Sequence, residues 1–197
     1  MNNKKLTVCF FALMVIICWG LNSVSALGDE KADKVETVAV GMTLPQFQLN
    51  VPGSSSEQNY LGLKDLEPFS WSQISAEIIV LEIFGIYCPH CRKQGPVLNK
   101  IYKFIQDDPA LKDGIKMIGV AAGGEQKKVD RWKTTLHVPF PLYPDPETTI
   151  WQKLGKPGVP CTLIVTNSGK IIAIHYGVTE DTDDFFRQIK KIYEDQK

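Results

Sequence analysis

Two cysteines, placed where a strand-like run gives way to a helix-like one, constrain this chain more than anything else in it. The apolar run Ile78-Ile79-Val80-Leu81 leads into Glu82-Ile83-Phe84-Gly85-Ile86-Tyr87-Cys88-Pro89-His90-Cys91. Beyond Cys91, residues Val97, Leu98, Ile101, Phe104 and Ile105 recur at helical spacing. The strand therefore delivers a Cys-x-x-Cys to the first turn of a helix. Unpaired amides and the positive dipole end of a helix stabilise an anion, so a thiol held there gives up its proton more readily. Cys88 is the exposed first position and the expected attacking thiolate. Cys91, three residues on, lies on the same side of the first turn and can close a disulfide with it. A Cys-x-x-Cys beside a β/α pattern is a redox signal.

The stretch resembles the active site of the thioredoxin fold. Val80-Leu81-Glu82 followed by Cys88-Pro89-His90-Cys91 is similar to the disulfide oxidase DsbA, through the acid six residues before the first cysteine and the Pro89-His90 pair. Gly158-Val159-Pro160 resembles the loop that carries a cis-proline opposite the disulfide in this fold, and Pro96 matches the proline of its active-site helix. Upstream, Gly41-Met42-Thr43-Leu44-Pro45-Gln46-Phe47-Gln48-Leu49 is similar to the opening of the TlpA/ResA-like and redoxin families. Only 68 residues separate Cys91 from Pro160, too few for the helical domain DsbA carries there. The resemblance implies an α/β, thioredoxin-like fold: a central mixed sheet flanked by helices, with an N-terminal strand or hairpin extension. It also implies a protein thiol–disulfide oxidoreductase with no cofactor beyond the Cys88–Cys91 disulfide, and a membrane donor as redox partner.

Composition bounds the rest. The chain has 197 residues, 44% of them hydrophobic, enough for one domain with a real core. Lys4 and Lys5 precede an uncharged apolar run to Leu21, then the small, polar Asn22-Ser23-Val24-Ser25-Ala26. That is the layout of a secretory signal over 1–26, with cleavage expected after Ala26, and it points to a periplasmic location. The competing reading is an uncleaved N-terminal anchor facing the extracytoplasmic side, since about 20 apolar residues span a bilayer. Residues 27–40 are charged and small and read as a flexible tether, leaving 41–197 as the domain. Cys9 and Cys18 belong to the signal, so an exported domain would keep Cys88, Cys91 and Cys161: a pair that works, not a stapled scaffold. Without Lys4 and Lys5 there are 20 basic against 22 acidic residues, which gives no reason to expect nucleic acid as a partner.

Along the domain, Pro52 to Ser56 reads as a turn, and Asn59 to Ile74 as the rest of the extension. Strands are expected at Ile78–Phe84 and Ile115–Ala121, and a helix marked by Val129, Trp132 and Leu136 between Gly124 and the proline-rich stretch from Pro139. A short strand in that stretch and a helix from Thr148 to Leu154 follow. Thr162–Val165 and Lys170–Tyr176 form a hairpin about Asn167-Ser168-Gly169, and Thr182–Tyr193 a final helix.

Each candidate has a plainer reading beside it. Cys88 and Cys91 could be half of a zinc site, but four ligands are needed and no second Cys-x-x-Cys or His pair follows. His90 is placed to stabilise the Cys88 thiolate. Glu82 interrupts an apolar strand; it is either a surface-facing acid or, by the resemblance, the buried acid that relays the proton of Cys91. By the same resemblance, the backbone of Val159, before Pro160, would pair with an extended client segment, a small strand addition. Cys161 reads first as a small buried hydrophobe, and second as a third thiol near the pair, able to resolve a mixed disulfide or complete a copper(I) site. A copper-handling thioredoxin-like chaperone, using His175, is therefore an alternative function. A peroxiredoxin is disfavoured, because its Pro-x-x-x-Thr-x-x-Cys would need proline and threonine where Leu81 and Gly85 stand.

Overall fold

The computed structural model describes residues 36–197. The signal over 1–26 and the tether up to residue 35 lie outside the described residues. Among the described residues no helix is long and apolar enough to cross a membrane.

Five strands form the central sheet, in the order β5-β4-β3-β6-β7: β3 (Ile78–Phe84), β4 (Ile115–Ala122), β5 (Leu142–Asp145), β6 (Cys161–Thr166) and β7 (Ile171–Tyr176). β3 runs parallel to β4 and antiparallel to β6. Its parallel side is closed through α2 (Pro89–Asp107), and that of β4 through α3 (Gln126–Leu136). Such crossovers are what parallel neighbours require. The β6–β7 hairpin and α5 (Thr182–Glu194) complete the chain.

Every residue of β3 is buried, which explains its continuous apolar text. Successive side chains alternate faces. Ile78, Val80 and Phe84 join Leu98, Ile101 and Ile105 of α2, Trp132 of α3, and Phe185 and Ile189 of α5 in one core. Ile79, Leu81 and Ile83 face a second core, built from Leu44, Phe47, Leu61 and Trp71 of the N-terminal extension and Leu154, just past α4 (Thr149–Lys153). The extension thus supplies the second layer that a sheet buried on both sides needs.

That extension differs in detail from the expectation. Its hairpin is only β1 (Gln48–Leu49) against β2 (Phe69–Ser70), and between them lies a helix, α1 (Ser55–Leu61), where a turn was expected. The helix has a sequence signature: Ser54 caps it by accepting from the Glu57 amide at 3.2 Å, and Glu57 accepts from the Gly53 amide at 2.9 Å. A serine followed three residues later by glutamate is a helix start, and Gly62, in the left-handed region, is its stop.

The domain also begins earlier than Gly41. Glu36 to Val40 were expected in the tether, yet Val38 is buried and its amide donates to the Leu154 carbonyl at 3.1 Å. The Thr37 hydroxyl donates to the Gly155 carbonyl at 2.7 Å. The buried Val38 side chain and these two hydrogen bonds dock the stretch.

Gly155 makes this docking possible. Its φ is +71°, and a Cβ there would lie 2.3 Å from the Glu36 carbonyl oxygen and from the Thr37 Cα. We expect Gly155→Ala to cost about 1–2 kcal/mol from the left-handed backbone alone, and to release residues 36–40. Amide hydrogen exchange at Val38 should then rise to the rate of an unprotected site; unchanged protection would refute this role for the glycine.

Candidate active site

β3 ends at Phe84, and a turn through Gly85, Ile86 and Tyr87 brings the chain to Cys88, whose amide donates to the Gly85 carbonyl at 3.1 Å. Cys88 has extended backbone angles and is the N-cap of α2. Its sulfur accepts from the Cys91 amide at 3.1 Å, one of the orphan donors of the first turn. Pro89 occupies the first helical position, where its missing amide costs nothing and its fixed φ suits the helix. Pro96 lies inside the same helix.

Cys88 and Cys91 form a disulfide, with Cα atoms 5.2 Å apart. The two sulfurs are unequal. Cys88 is half-buried, whereas Cys91 is 2% exposed, in the core under α2. Pro89 and His90 are exposed between them. The peptide bond between Val159 and Pro160 is cis, and the Val159 carbonyl oxygen stands 3.7 Å from the Cys88 sulfur. That is van der Waals contact in the disulfide; after reduction the same oxygen can accept a weak bond from the thiol. The Val159 amide and carbonyl, on a half-buried residue beside Cys88, are where an extended segment could pair.

Glu82 lies in the same core as Cys91. It is 5% exposed and accepts one hydrogen bond, 2.6 Å from the Thr162 hydroxyl on the neighbouring strand, where the two residues are in register. Burial pushes its carboxyl up to about 8, and the Thr162 hydroxyl opposes that rise only in part. Glu82 and Cys91 both line a cavity of about 20 Å³ whose other walls are apolar, among them Phe84, Leu98 and Trp132. That volume holds about one water.

Cys161 does not join the pair. It is in register with Ile83 and, like Ile83, belongs to the core on the opposite face of the sheet. It is wholly buried and free, and burial, with the charge of Glu82 adding to it, pushes the thiol up to about 12. A thiol so placed is a packing residue, not a nucleophile. A three-thiolate copper site would need it on the other face. His175 packs its ring on Phe185, with centroids 5.1 Å apart, and its buried Nε2 has no hydrogen-bond partner among the described residues.

One surface beside the pair was not anticipated. Trp132, one of the residues that marked the helix before the proline-rich stretch, is buried. With Ile86, Tyr87, Arg92, Lys128 and Arg131 it also lines a cleft of about 370 Å³ next to the disulfide. The sequence signal was the spacing of Lys128 and Arg131, one turn apart on α3, and Arg92 directly after the motif.

The AhpC/TSA family profile matches residues 40–174, more than two thirds of the chain. The chain belongs to the AhpC/TSA family. Within this family, it is similar to the thiol:disulfide interchange protein DsbE of Vibrio cholerae, 28% identical over 184 residues, covering 89% of this chain and 86% of the relative. It is also similar to the thiol-disulfide oxidoreductase ResA of Halalkalibacterium halodurans, 26% identical over 132 residues, 66% of this chain and 72% of that one. Among solved structures, the thioredoxin domain of a thiol-disulfide oxidoreductase from Bacteroides vulgatus superposes with a TM-score of 0.61 at 16% identity. That match covers 80% of this chain and 99% of the other. The thioredoxin-like fold and the redoxin scaffold with its N-terminal hairpin are therefore those of this AhpC/TSA chain.

The Glu82 environment has a measurable consequence. A carboxyl raised from about 4.5 unfolded to about 8 folded binds more protons in the native state between those values, so it lowers stability as pH rises through that window. Glu82→Gln removes the ionisable group but keeps the shape. We expect the variant to gain stability relative to wild type by about 2 kcal/mol near pH 6 and about 4 kcal/mol near pH 8, with no gain below pH 4. Denaturant unfolding across this range checks the slope; a difference independent of pH would contradict a buried, raised Glu82.

Proposed function

We propose that the Cys88–Cys91 pair exchanges disulfides with the thiols of client proteins, with Cys88 forming the intermolecular bond and Cys91 resolving it. The chain is a thiol–disulfide oxidoreductase. The observation that carries the division of labour is the unequal burial of the two sulfurs at one helix N-terminus: a macromolecular client can reach Cys88 and not Cys91.

In the oxidising direction, a client thiolate attacks the Cys88 sulfur. The Cys88–Cys91 bond breaks, and its electron pair leaves on Cys91, which takes up a proton. The second client thiol then attacks its own mixed-disulfide sulfur and releases Cys88 as a thiolate, which the Cys91 amide and the helix end stabilise. The reducing direction runs these steps in reverse, with Cys91 deprotonated to attack Cys88. Glu82 is the group for that proton. Its raised value lies close to the ordinary thiol value of about 8.5, so transfer between the two is nearly balanced, the condition for efficient general acid–base catalysis. The cavity they share gives the proton a path through one water. Val159, beside Cys88, offers its backbone to the client strand, and Pro160 shapes that loop. No added cofactor is required.

Export is read from residues 1–26 and puts this chemistry in the periplasm, where clients carry thiols to be paired. A membrane redox donor or acceptor would recharge the pair. The peroxidase reading has no support at the site, since Leu81 is a buried strand residue and Gly85 a turn residue where that chemistry needs proline and threonine.

Trapping tests the assignment. Cys91→Ser should accumulate a mixed disulfide with clients through Cys88, at least about tenfold more than Cys88→Ser does, because the resolving attack is what normally discharges it. Equal trapping by the two variants would overturn the roles.

The reduction potential tests the poise. A stabilised Cys88 thiolate favours the dithiol form and raises the potential. We expect a value nearer about −150 mV than the about −270 mV of thioredoxin. Equilibration against glutathione measures it, and a value below about −250 mV would sink the oxidising poise.

A further inference from the structure

We infer that the cleft beside the disulfide, between α2 and α3, receives an acidic segment of the client polypeptide and so selects thiols that lie in acidic sequence. The inference rests on the thiol-exchange reading above and adds the chemistry of the partner.

The cleft, of about 370 Å³, is bounded by Ile86 and Tyr87, which directly precede Cys88, and by Arg92, which directly follows Cys91. A chain whose sulfur reaches Cys88 can lay its flanking residues in this mouth. Its walls carry three cations, Arg92, Lys128 and Arg131, and no acid. The acids nearest in sequence are engaged: Glu125 pairs with Lys128 at 3.3 Å, and Asp130 accepts from Gln126 at 2.7 Å. The whole chain has a formal net charge of zero, so three cations lining one cleft, with neither of these two acids on its walls, are a local asymmetry and not a reflection of composition.

Two of the cations are held in place. The Arg92 guanidinium stacks over the Trp132 ring, 5.4 Å from its centroid, and Lys128 lies 5.9 Å from the centre of the Tyr87 ring. Stacked cations lose less freedom when they meet a carboxylate, and the guanidinium fork matches that group in two hydrogen bonds. Tyr87 is 80% exposed, a large apolar side chain left on the surface directly before the reactive cysteine. An aromatic rim around fixed positive charge is a surface that suits a peptide bearing Asp or Glu. Complementary charge mainly accelerates encounter, and salt screens it.

The test uses the oxidised domain and two synthetic peptide dithiols with the same Cys-x-x-Cys centre, one flanked by glutamates and one by lysines. In the reaction the peptide loses two electrons and two protons and forms its own disulfide, while the Cys88–Cys91 bond breaks and takes them up. Flanking charge alters the peptide thiols themselves, so each rate is divided by that peptide's rate with neutral 2-hydroxyethyl disulfide. Each protein form is also normalised to its reduction by dithiothreitol. The acidic peptide should react at least about tenfold faster at low salt, the ratio collapsing towards one as added salt shortens the screening length to a few ångströms. Lys128→Glu with Arg131→Glu should invert the preference, and Lys128→Gln with Arg131→Gln, which only removes charge, should bring the ratio near one. A wild-type ratio within about twofold at low salt, or a preference that survives both double variants, overturns the inference. If the wild type reacts with dithiothreitol but does not discriminate, this inference fails and the redox reading stands. A protein that reacts with neither dithiothreitol nor peptide refutes the redox reading and this one with it.

Discussion

A strand buried on both faces offers a carboxyl at its centre almost nothing to bond with, and the chemistry of this domain depends on that poverty. Glu82 of β3 has a single hydroxyl, that of Thr162 on the neighbouring β6, and the small cavity it shares with Cys91. An ionised carboxylate there would need more donors than the site has, so the group keeps its proton to near-neutral pH. A carboxyl in that state is a poor structural anchor and a good proton exchanger. The cost in stability is borne by the layers that bury the strand: α2, α3 and α5 on one side, the N-terminal extension and α4 on the other.

The same burial separates the two sulfurs. A helix N-terminus holds two cysteines one turn apart at different depths, because the cap residue sits outside the helix and the third residue points inward. Cys88 is therefore reachable and accepts from the Cys91 amide, while Cys91 is shielded and shares a cavity with the raised carboxyl of Glu82. The proposed order, attack from outside and resolution from inside, rests on that one turn of helix, with the Val159 carbonyl and the cationic cleft beside it.

Much of this was legible in the text. The central strand, the β6–β7 hairpin and the last helix carry strong periodic patterns whose limits fall within a residue or so of those read from the sequence, and the active-site helix spans the apolar positions that marked it. The motif, the acid before it and the Val159–Pro160 loop were readable because each is a short local pattern, although the functional assignments drew on resemblance. What escaped was of another kind. The helix at Ser55–Leu61 begins among serines and glycine, whose turn propensity masked the Ser54–Glu57 cap. The docking of residues 36–40 depends on one valine and on a left-handed glycine far along the chain, a contact with no local signature. The cleft joins Arg92 on one helix to Lys128 and Arg131 on the next, and only the packing of the two helices brings them together.

Cys161 shows how little separates a reactive thiol from an inert one in this fold. It lies one residue from Thr162, and Thr162 touches Glu82, the acid proposed to serve the disulfide. In a strand that single step is a change of face. A slip of one residue in the β3–β6 register would exchange the positions, placing a third sulfur beside Cys91 and a hydroxyl among the apolar side chains opposite. The register is held on both sides: Leu163 and Val165 bury in the core with Leu81 and Ile79, and Ile164 packs with Val80 in the other. The apolar pattern of β6 therefore fixes more than the fold. It keeps the third thiol away from the redox pair and the Thr162 hydroxyl against Glu82, so the packing of two strands decides which sulfurs take part in exchange.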